Sequence, residues 1–126
     1  MIQRNILWID DMDSWSSSAS YLLGTKISIT KYNVNIIHRR NGESILQDLM
    51  LHDFNLVLMD YHMEPFNGDK YIHDIHYDIT FAYVPIMFYS EDPNVNLADL
   101  VKNIGNVSVC HRSQLVDNIV KKIFFA

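Results

Sequence analysis

The hydrophobic positions of this chain form short continuous runs, separated by longer amphipathic stretches. Continuous runs of about five apolar residues are typical of strands buried on both faces of a sheet. We predict strands over residues 5–9, 34–38, 54–60, 85–90 and 107–110. Strands that alternate with helices predict an α/β fold, a doubly wound parallel sheet with right-handed crossovers.

The stretches between these strands carry apolar residues at helical spacing. We predict helices over residues 14–23, 43–52, 68–79 and 97–104, and a last helix capped by Ser113. Residues 26–32 fit either a loop or an early strand. The positions predicted to face inward are Trp15, Ala19, Leu22, Leu23, Ile45, Leu46, Leu49, Met50, Ile72, Ile75, Ile79, Leu97, Leu100, Val101, Ile104, Leu115, Ile119 and Ile123.

Several residues also suggest where the helices begin and end. Asp13 or Ser14 suits the N-cap of the first helix, because a short polar side chain can accept a bond from a free backbone N–H. Gly24 and Gly105 suit the ends of the first and fourth helices.

Composition narrows the class of protein. A chain of 126 residues fits a single domain over 1–126. The net charge of -5 argues against direct nucleic-acid binding, which needs a basic face. The lone cysteine, Cys110, excludes an internal disulfide and fits a reducing compartment. No apolar run approaches the ~20 residues of a membrane helix, so we expect a cytoplasmic protein without membrane contact.

Polar residues follow four of the predicted strands. They are Asp10 and Asp11 after the first strand, Asp60 at the end of the third, Ser90 at the end of the fourth, and His111 and Arg112 after the fifth. The carboxyl ends of parallel strands open on one edge of a sheet, where ligands bind in such folds. These side chains are therefore expected to converge.

The chemistry of this set points to a divalent cation and a phosphoryl group. Clustered carboxylates disfavour one another's ionisation, and Mg²⁺ relieves that repulsion through oxygen ligands. An aspartate beside the cation, such as Asp60, is a candidate nucleophile. The Ser90 hydroxyl can donate to a phosphoryl oxygen. Either His111 or Arg112 can offset the charge of another oxygen, and the sequence does not choose between them.

Taken together, these motifs resemble the receiver domain of two-component response regulators. The resemblance is carried by Ile9-Asp10-Asp11, by Asp60-x-x-Met63 with Gly68 eight positions after Asp60, by Pro85-Ile86 leading to Ser90, and by Asn41-Gly42-Glu43-Ser44-Ile45. It covers essentially the whole chain. It implies a flavodoxin-like (βα)5 fold with strand order 2-1-3-4-5.

The resemblance also implies roles for the site residues. Asp60 would accept a phosphoryl group from a sensor histidine kinase, and Ser90 would be the switch hydroxyl. Asp11 and Asp60 would ligate Mg²⁺, with Asp10 and the His62 backbone carbonyl assisting. The protein would be a phosphoacceptor rather than an enzyme with turnover. The face formed by the fourth helix, fifth strand and fifth helix would contact a downstream protein partner or output domain.

The chain departs from the receiver pattern at four points. His111 and Arg112 stand where the family has a lysine after the fifth strand. Glu91 replaces a small residue after the switch hydroxyl. In the loop after the third strand, a proline comes one position late. The aromatic switch of the fifth strand is missing, because it maps to Ser108 or Val109. The acids are thus retained while the residues that would read out phosphorylation differ.

Two alternatives follow from the sequence. The first is a receiver-like interaction module that works without phosphorylation, because of the replaced lysine and Glu91. The second rests on a resemblance: Asp11-Met12-Asp13-Ser14 resembles the opening motif of haloacid-dehalogenase-type phosphatases, which implies Asp11 as the nucleophile and Asp13 as the acid/base. His73 and His76, three residues apart, could bind a transition metal, but a solvated helix face explains them more simply.

Overall fold

The fold is a five-stranded sheet with helices in the connections. The computed structural model of the chain describes residues 2–27 and 31–125, and for residues 123–125 only the backbone. The strands are β1 (Ile2–Ile9), β2 (Tyr32–Arg39), β3 (Leu56–Asp60), β4 (Ile86–Ser90) and β5 (Val107–His111). The helices are α1 (Asp13–Ile27), α2 (Ile45–Leu51), α3 (Gly68–Tyr77), α4 (Leu97–Leu100) and α5 (Leu115–Phe125), the last preceded by a 3-10 turn over Arg112–Gln114.

The strands lie in the order β2-β1-β3-β4-β5, and every neighbouring pair is parallel. This confirms the predicted doubly wound sheet and its strand order. The order reverses between β1 and β3, and in such sheets ligands bind outside the strand ends at that point. The acids that follow these two strands are therefore neighbours by topology.

Two hydrophobic cores cover the two faces of the sheet. In β1, Ile6 and Trp8 pack with residues of α1 and α5, whereas Leu7 and Ile9 pack with residues of α2, α3 and α4. The alternation follows from the strand geometry, since successive side chains point to opposite faces. All four side chains are fully buried, as expected for a central parallel strand.

The strand register decides which side chains sit side by side at the functional edge. Ile9 pairs with Met59 between β1 and β3, and Asp60 pairs with Tyr89 between β3 and β4. Side chains in register lie on the same face. Asp60 and Tyr89 therefore share the α1 and α5 face.

The first helix is longer than predicted. It runs to Ile27, so the prediction that Gly24 ends it is wrong. Leu23 and Ile27 are both buried, four residues apart, so packing extends the helix past the glycine despite its cost of ~1 kcal/mol. Leu22, predicted to face inward, is exposed. Residue 29, part of the predicted loop or early strand, lies outside the described residues.

The second and third helices are shorter than predicted. Met50 in α2 is exposed, and the buried polar residue Asp48 takes an inward position instead. The prediction that Ile79 faces inward is also wrong, because α3 ends at Tyr77 and leaves Ile79 90% exposed. The third helix thus ends before its apolar pattern does, whereas the second helix includes Met50 but exposes it to solvent.

The fourth helix is only four residues long. Val101 and Ile104 are buried as predicted, but the helix ends at Leu100, so the prediction that Gly105 ends it is wrong. Beyond the helix, Asn103 adopts a left-handed φ of 72°. Asparagine tolerates this conformation better than most residues because its side chain is short and polar.

The start of the last helix also differs from the prediction. Ser113 lies within the 3-10 turn rather than capping α5. Its backbone N–H donates a hydrogen bond to the His111 side chain. Leu115 and Ile119 are buried as predicted. The side chain of Ile123 lies outside the described residues.

Candidate acidic site at the carboxyl edge of the sheet

Three carboxylates meet where β1 and β3 end. Asp10, Asp11 and Asp60 each offer an oxygen, and these oxygens all lie within 4.8 Å of one another. Asp10 and Asp60 are 3% and 2% exposed, while Asp11 is half-buried. Two buried carboxyl groups thus lie beside a third that is partly exposed to water. Among the described residues, this is the one group of three metal-ligating side chains.

Burial and proximity make this a site of unfavourable negative charge. Burial raises the pKa of Asp60 to about 7, the charge of Asp10 adds to the effect, and the Arg112 guanidinium opposes it. Burial also raises the pKa of Asp10. A buried carboxylate resists ionisation unless a cation or hydrogen-bond donors compensate it. The site therefore favours any ligand that brings positive charge.

Asp10 is held by donors on both of its oxygens. Its Oδ1 accepts from the backbone N–H of Met12 at 2.8 Å, and its Oδ2 accepts from the Tyr89 hydroxyl at 2.5 Å. The Tyr89 oxygen in turn accepts from the Trp8 indole N–H at 2.8 Å. Because an indole nitrogen can only donate, the tyrosine proton must point to Asp10. This buried chain fixes the orientation of the Asp10 carboxylate.

Arg112 supplies the positive charge next to these acids. Its Nη2 lies 3.4 Å from Asp60 Oδ2 and 3.6 Å from Asp10 Oδ2. Its guanidinium stacks over the Trp15 ring, with 4.7 Å between the guanidinium carbon and the ring centroid. Glu91 Oε2 contacts the second terminal nitrogen, Nη1, at 3.2 Å. The arginine side chain is only 7% exposed, so it is part of the site.

The structure distinguishes His111 from Arg112. The His111 ring contacts the Glu91 carbonyl oxygen at 2.9 Å and the Ser113 hydroxyl at 2.8 Å, and it is exposed. Cys110 pairs in register with Tyr89, so Cys110 is on the face of the acids. Strand alternation turns His111, the last residue of the strand, to the opposite face. Arg112 lies beyond the strand, in the 3-10 turn over Arg112–Gln114, and there it contacts the acids. Only Arg112, of these two, contacts the carboxylates.

Ser90 and His62, two further residues that the sequence assigns to the site, have other partners. Ser90 is buried, and its Oγ accepts from the backbone N–H of Asp92 at 3.0 Å. The His62 ring lies 3.1 Å from Asp92 Oδ2, which links the β3–α3 loop to the β4–α4 loop. The Asp92 pKa is lowered, first by the Asn94 backbone N–H and then by His62.

Gly68 explains the fixed spacing after Asp60. Its N–H donates to the Tyr61 carbonyl at 2.8 Å, which folds the loop back over the end of β3. A β-carbon at this position would overlap the backbone carbonyl oxygen of Asp60. Only glycine permits this approach, so the residue eight positions after Asp60 helps to hold the acid in place.

Sequence reasoning missed the aromatic residues of the site. Tyr89 stands in an apolar strand and is fully buried, but its hydroxyl binds Asp10. Trp15 was expected to be core or rim, and it stacks on Arg112. Strand period two places Trp8 and Asp10 on one face, but the register that sets Tyr89 beside Asp60 is seen only in the structure.

Two other candidates from the sequence lie outside this site. Asp13 pairs with Arg40 on the surface at 2.9 Å, so it does not act as a second acid toward the buried carboxylates. His73 contacts the Leu100 carbonyl oxygen at 3.0 Å and stacks on Tyr77, and the structure places no further metal-ligating group with it among the described residues.

The acids fit a hard divalent cation. All three donors are carboxylate oxygens, which Mg²⁺ and Mn²⁺ prefer over nitrogen or sulfur. Burial first and the charge of Asp10 second raise the pKa of Asp60, and a bound cation would counter both effects. The three carboxylates therefore fit the Mg²⁺ site that we predicted from the sequence.

The sequence matches no family model and no curated protein. The fold, however, is similar to solved receiver structures. The phosphorylated cyanobacterial phytochrome response regulator RcpA is 16% identical, with a TM-score of 0.81 over 98% of this chain and 96% of that one. The Vibrio cholerae chemotaxis protein CheY4 is 16% identical, with a TM-score of 0.74 over 96% of each chain.

A third similar structure is the Mn²⁺-bound form of the response regulator Rcp1. It is 15% identical, with a TM-score of 0.69 over 97% of this chain and 94% of that one. At such identities the likeness establishes the fold, which is the flavodoxin-like fold of response regulator receivers, as predicted. Within the described residues, no helix is both long enough and apolar enough to cross a bilayer.

Proposed function

We propose that the chain is a receiver domain, spanning residues 1–126, that accepts a phosphoryl group on Asp60 and thereby switches a partner-binding face. The observation that carries this proposal is the buried cluster of Asp10, Asp11 and Asp60 at the switch point of a receiver fold. The comparison with a phosphorylated receiver of the same fold supports it.

The proposed reaction is transfer from a phosphohistidine on a sensor kinase. An oxygen of the Asp60 carboxylate attacks phosphorus, the P–N bond breaks, and the departing imidazole nitrogen keeps the bonding pair and takes up a proton. Asp60 must be ionised for this attack. Arg112 favours that state through its Nη2 contact and can then bind an oxygen of the transferred phosphoryl group.

Mg²⁺ is the proposed cofactor. Asp11 and Asp60 would ligate it, with Asp10 and the His62 backbone carbonyl assisting. When bound, the cation supplies charge that screens the carboxylates from the incoming phosphoryl oxygens. The Mn²⁺-bound receiver of the same fold supports a divalent ion here. Asp10, fixed by Tyr89 and the Met12 N–H, orients Arg112 rather than the phosphoryl group.

The switch would run from the β4 end to the β5 face. Ser90 would exchange its bond from the Asp92 N–H for a bond to the phosphoryl group, which would move the β4–α4 loop. That loop and β5 line a shallow groove that includes Val95, Leu97 and Val109. We place the downstream protein partner or output domain on this α4, β5 and α5 face, and the protein in the cytoplasm.

The proposal is tested by phosphoryl incorporation. The protein is incubated with a small phosphodonor and Mg²⁺, and its intact mass is measured. Wild type is expected to gain one phosphoryl group, and Asp60→Asn none. Asp48→Asn, which alters another buried acid away from the site, is the matched control and should still be labelled. No mass increase on wild type, with either a small donor or a kinase, would refute the proposal.

A second candidate is a receiver-like interaction module that binds its partner without phosphorylation. The observation that favours it is the contact between Glu91 and Arg112 at 3.2 Å, because the group that would bind phosphate already has an anionic partner. For this module, Asp60→Asn should leave partner affinity unchanged. A large change in affinity would exclude it.

A further inference from the structure

Arg112 occupies a position between two buried carboxylates. One nitrogen, Nη2, lies within 3.4 Å of Asp60 and 3.6 Å of Asp10. A positive charge there offsets the repulsion between these acids, and a bound divalent cation would have the same effect. The protein therefore carries an internal counter-charge at the cation site.

The guanidinium is held there by contacts that do not involve Asp60. It stacks on Trp15, and its Nη1 lies 3.2 Å from Glu91 and 3.5 Å from the Met12 sulfur. Arginine suits this arrangement because its planar, weakly hydrated cation stacks on aromatic rings. Arg112 consequently stays next to the acids without help from an ion or a phosphoryl group.

The contact with the acids is loose. Strong charge-assisted N–H···O bonds measure about 2.7–2.9 Å, shorter than either of these distances. The Arg112 Nε is buried and has no hydrogen-bond partner among the described residues. Asp60 can therefore leave the guanidinium for a better partner, since no short bond has to break.

Asp10 keeps the arginine in place during such an exchange. Both Asp10 oxygens already accept hydrogen bonds, from the Met12 N–H and from the Tyr89 hydroxyl. A carboxylate held in this way remains an anchor for Arg112, while Asp11 and Asp60 are the acids with freer oxygens.

From this geometry we propose that Arg112 is a built-in counter-cation, which keeps the acid site folded without a metal ion and competes with a divalent cation for Asp60. The inference rests on the cation site of the proposed function, but it does not require phosphoryl transfer. It adds that metal binding is regulated by a residue of the chain itself.

The experiment compares Arg112→Gln with wild type in thermal unfolding, with EDTA and with excess Mg²⁺. Excess Mg²⁺ should raise the unfolding temperature of wild type by less than that of Arg112→Gln, because a ligand that binds more weakly stabilises the folded state less. Arg112→Gln should unfold several degrees lower in EDTA and recover most of this loss with Mg²⁺. A Mg²⁺ titration followed by the fluorescence of Trp8 and Trp15, the two tryptophans of the chain, should give a Kd about tenfold lower for the variant.

Arg39→Gln is the matched control. Arg39 pairs with the buried Asp48, away from the three acids, so its loss should lower the unfolding temperature equally in both buffers and leave the Mg²⁺ Kd unchanged. If Arg112→Gln does not fold in EDTA, Arg112→Lys retains the charge and should bind Mg²⁺ more weakly than Arg112→Gln does, as measured in excess Mg²⁺ buffers.

Three results would overturn the inference. They are an equal stabilisation of wild type and Arg112→Gln by Mg²⁺, an unchanged Kd, or a wild type that unfolds as readily in EDTA as Arg112→Gln does. Failure of phosphoryl incorporation with a clear Mg²⁺ effect in Arg112→Gln would refute the proposed function and leave this inference standing.

Discussion

Within the described part of the chain, an arginine contacts a buried carboxylate at two sites, and these sites differ in geometry. At the end of β2, Arg39 donates to both oxygens of Asp48, at 3.0 and 3.1 Å, and the Ser44 hydroxyl donates to the same carboxylate at 3.0 Å. At the carboxyl edge of β1 and β3, Arg112 approaches two acids at 3.4 and 3.6 Å.

The difference shows how a structural ion pair can be told from a reactive site. Asp48 has donors for both oxygens, and the pair is closed to further partners. The acids near Arg112 outnumber their cation, and burial raises the pKa of Asp60 to about 7. A perturbed carboxyl next to unsatisfied donors is typical of a functional site, whereas a bidentate pair is typical of a structural one. The predictions below test this distinction.

The largest expected effect is that two matched substitutions change the free energy of unfolding in opposite directions. Asp60→Asn removes a destabilising buried charge, so it should raise the free energy of unfolding at pH 8 without metal by roughly 2–4 kcal/mol. Asp48→Asn breaks a satisfied pair and should lower it by about 1–3 kcal/mol. Urea unfolding in EDTA measures both, and two changes of the same sign would contradict the distinction.

The pH dependence of stability should come from the reactive site. Unfolded, Asp60 has a pKa of 3.8, and folded, about 7. Between these values the folded state keeps a proton that the unfolded state has lost, so stability falls as pH rises from about 4 to about 7. The raised pKa of Asp10 acts in the same direction.

Urea unfolding at a series of pH values checks this dependence. Asp60→Asn should flatten the decline, and Asp48→Asn should leave it in place. A wild-type stability that rises with pH through this window would argue against a raised pKa for Asp60.

Tyr89→Phe should have a smaller effect. It leaves the Trp8 indole N–H without an acceptor and removes one donor to Asp10, which should cost about 1–2 kcal/mol of unfolding free energy. The tryptophan emission should shift as well. The control is Tyr77→Phe, whose ring is exposed, and it should leave both stability and emission unchanged. If the two variants have the same unfolding free energy and the same tryptophan emission, the buried hydroxyl does not anchor Asp10.

Arg39→Lys is expected to have the smallest effect. A lysine cannot donate to both Asp48 oxygens in the planar fork geometry, so the unfolding free energy should fall by about 0.5–1 kcal/mol. The Mg²⁺ affinity should not change, since the pair lies outside the acid site. A changed Mg²⁺ affinity in Arg39→Lys would mean that the two sites are coupled.

Most of the strands and helices could be predicted from the amino-acid sequence. The five predicted runs correspond to the five strands, because short apolar runs between turn residues favour strands, whereas helices need about ten residues or more. The helix boundaries were less accurate. Gly24 does not end α1, and Ile79 is exposed, because tertiary packing rather than local propensity decides where a helix stops.

The candidate site was readable in part. The pattern of acids after β1 and β3 predicted a cluster, and the structure brings Asp10, Asp11 and Asp60 together. The roles of these residues in phosphoryl transfer and metal binding remain predictions. The part played by Tyr89 was not visible, because a tyrosine inside an apolar strand is by itself consistent with a core position.

By itself, the sequence determined the order of strands and helices and which acids come at strand ends, since both follow from local periodicity and from position along the chain. Only the tertiary structure decided that Arg112, not His111, contacts the acids. That choice depends on the register that pairs His111, the last residue of β5, with Ser90, and on the 3-10 turn that follows, in which Arg112 contacts the acids. Register is a relation between distant segments, so it has no local signature in the chain.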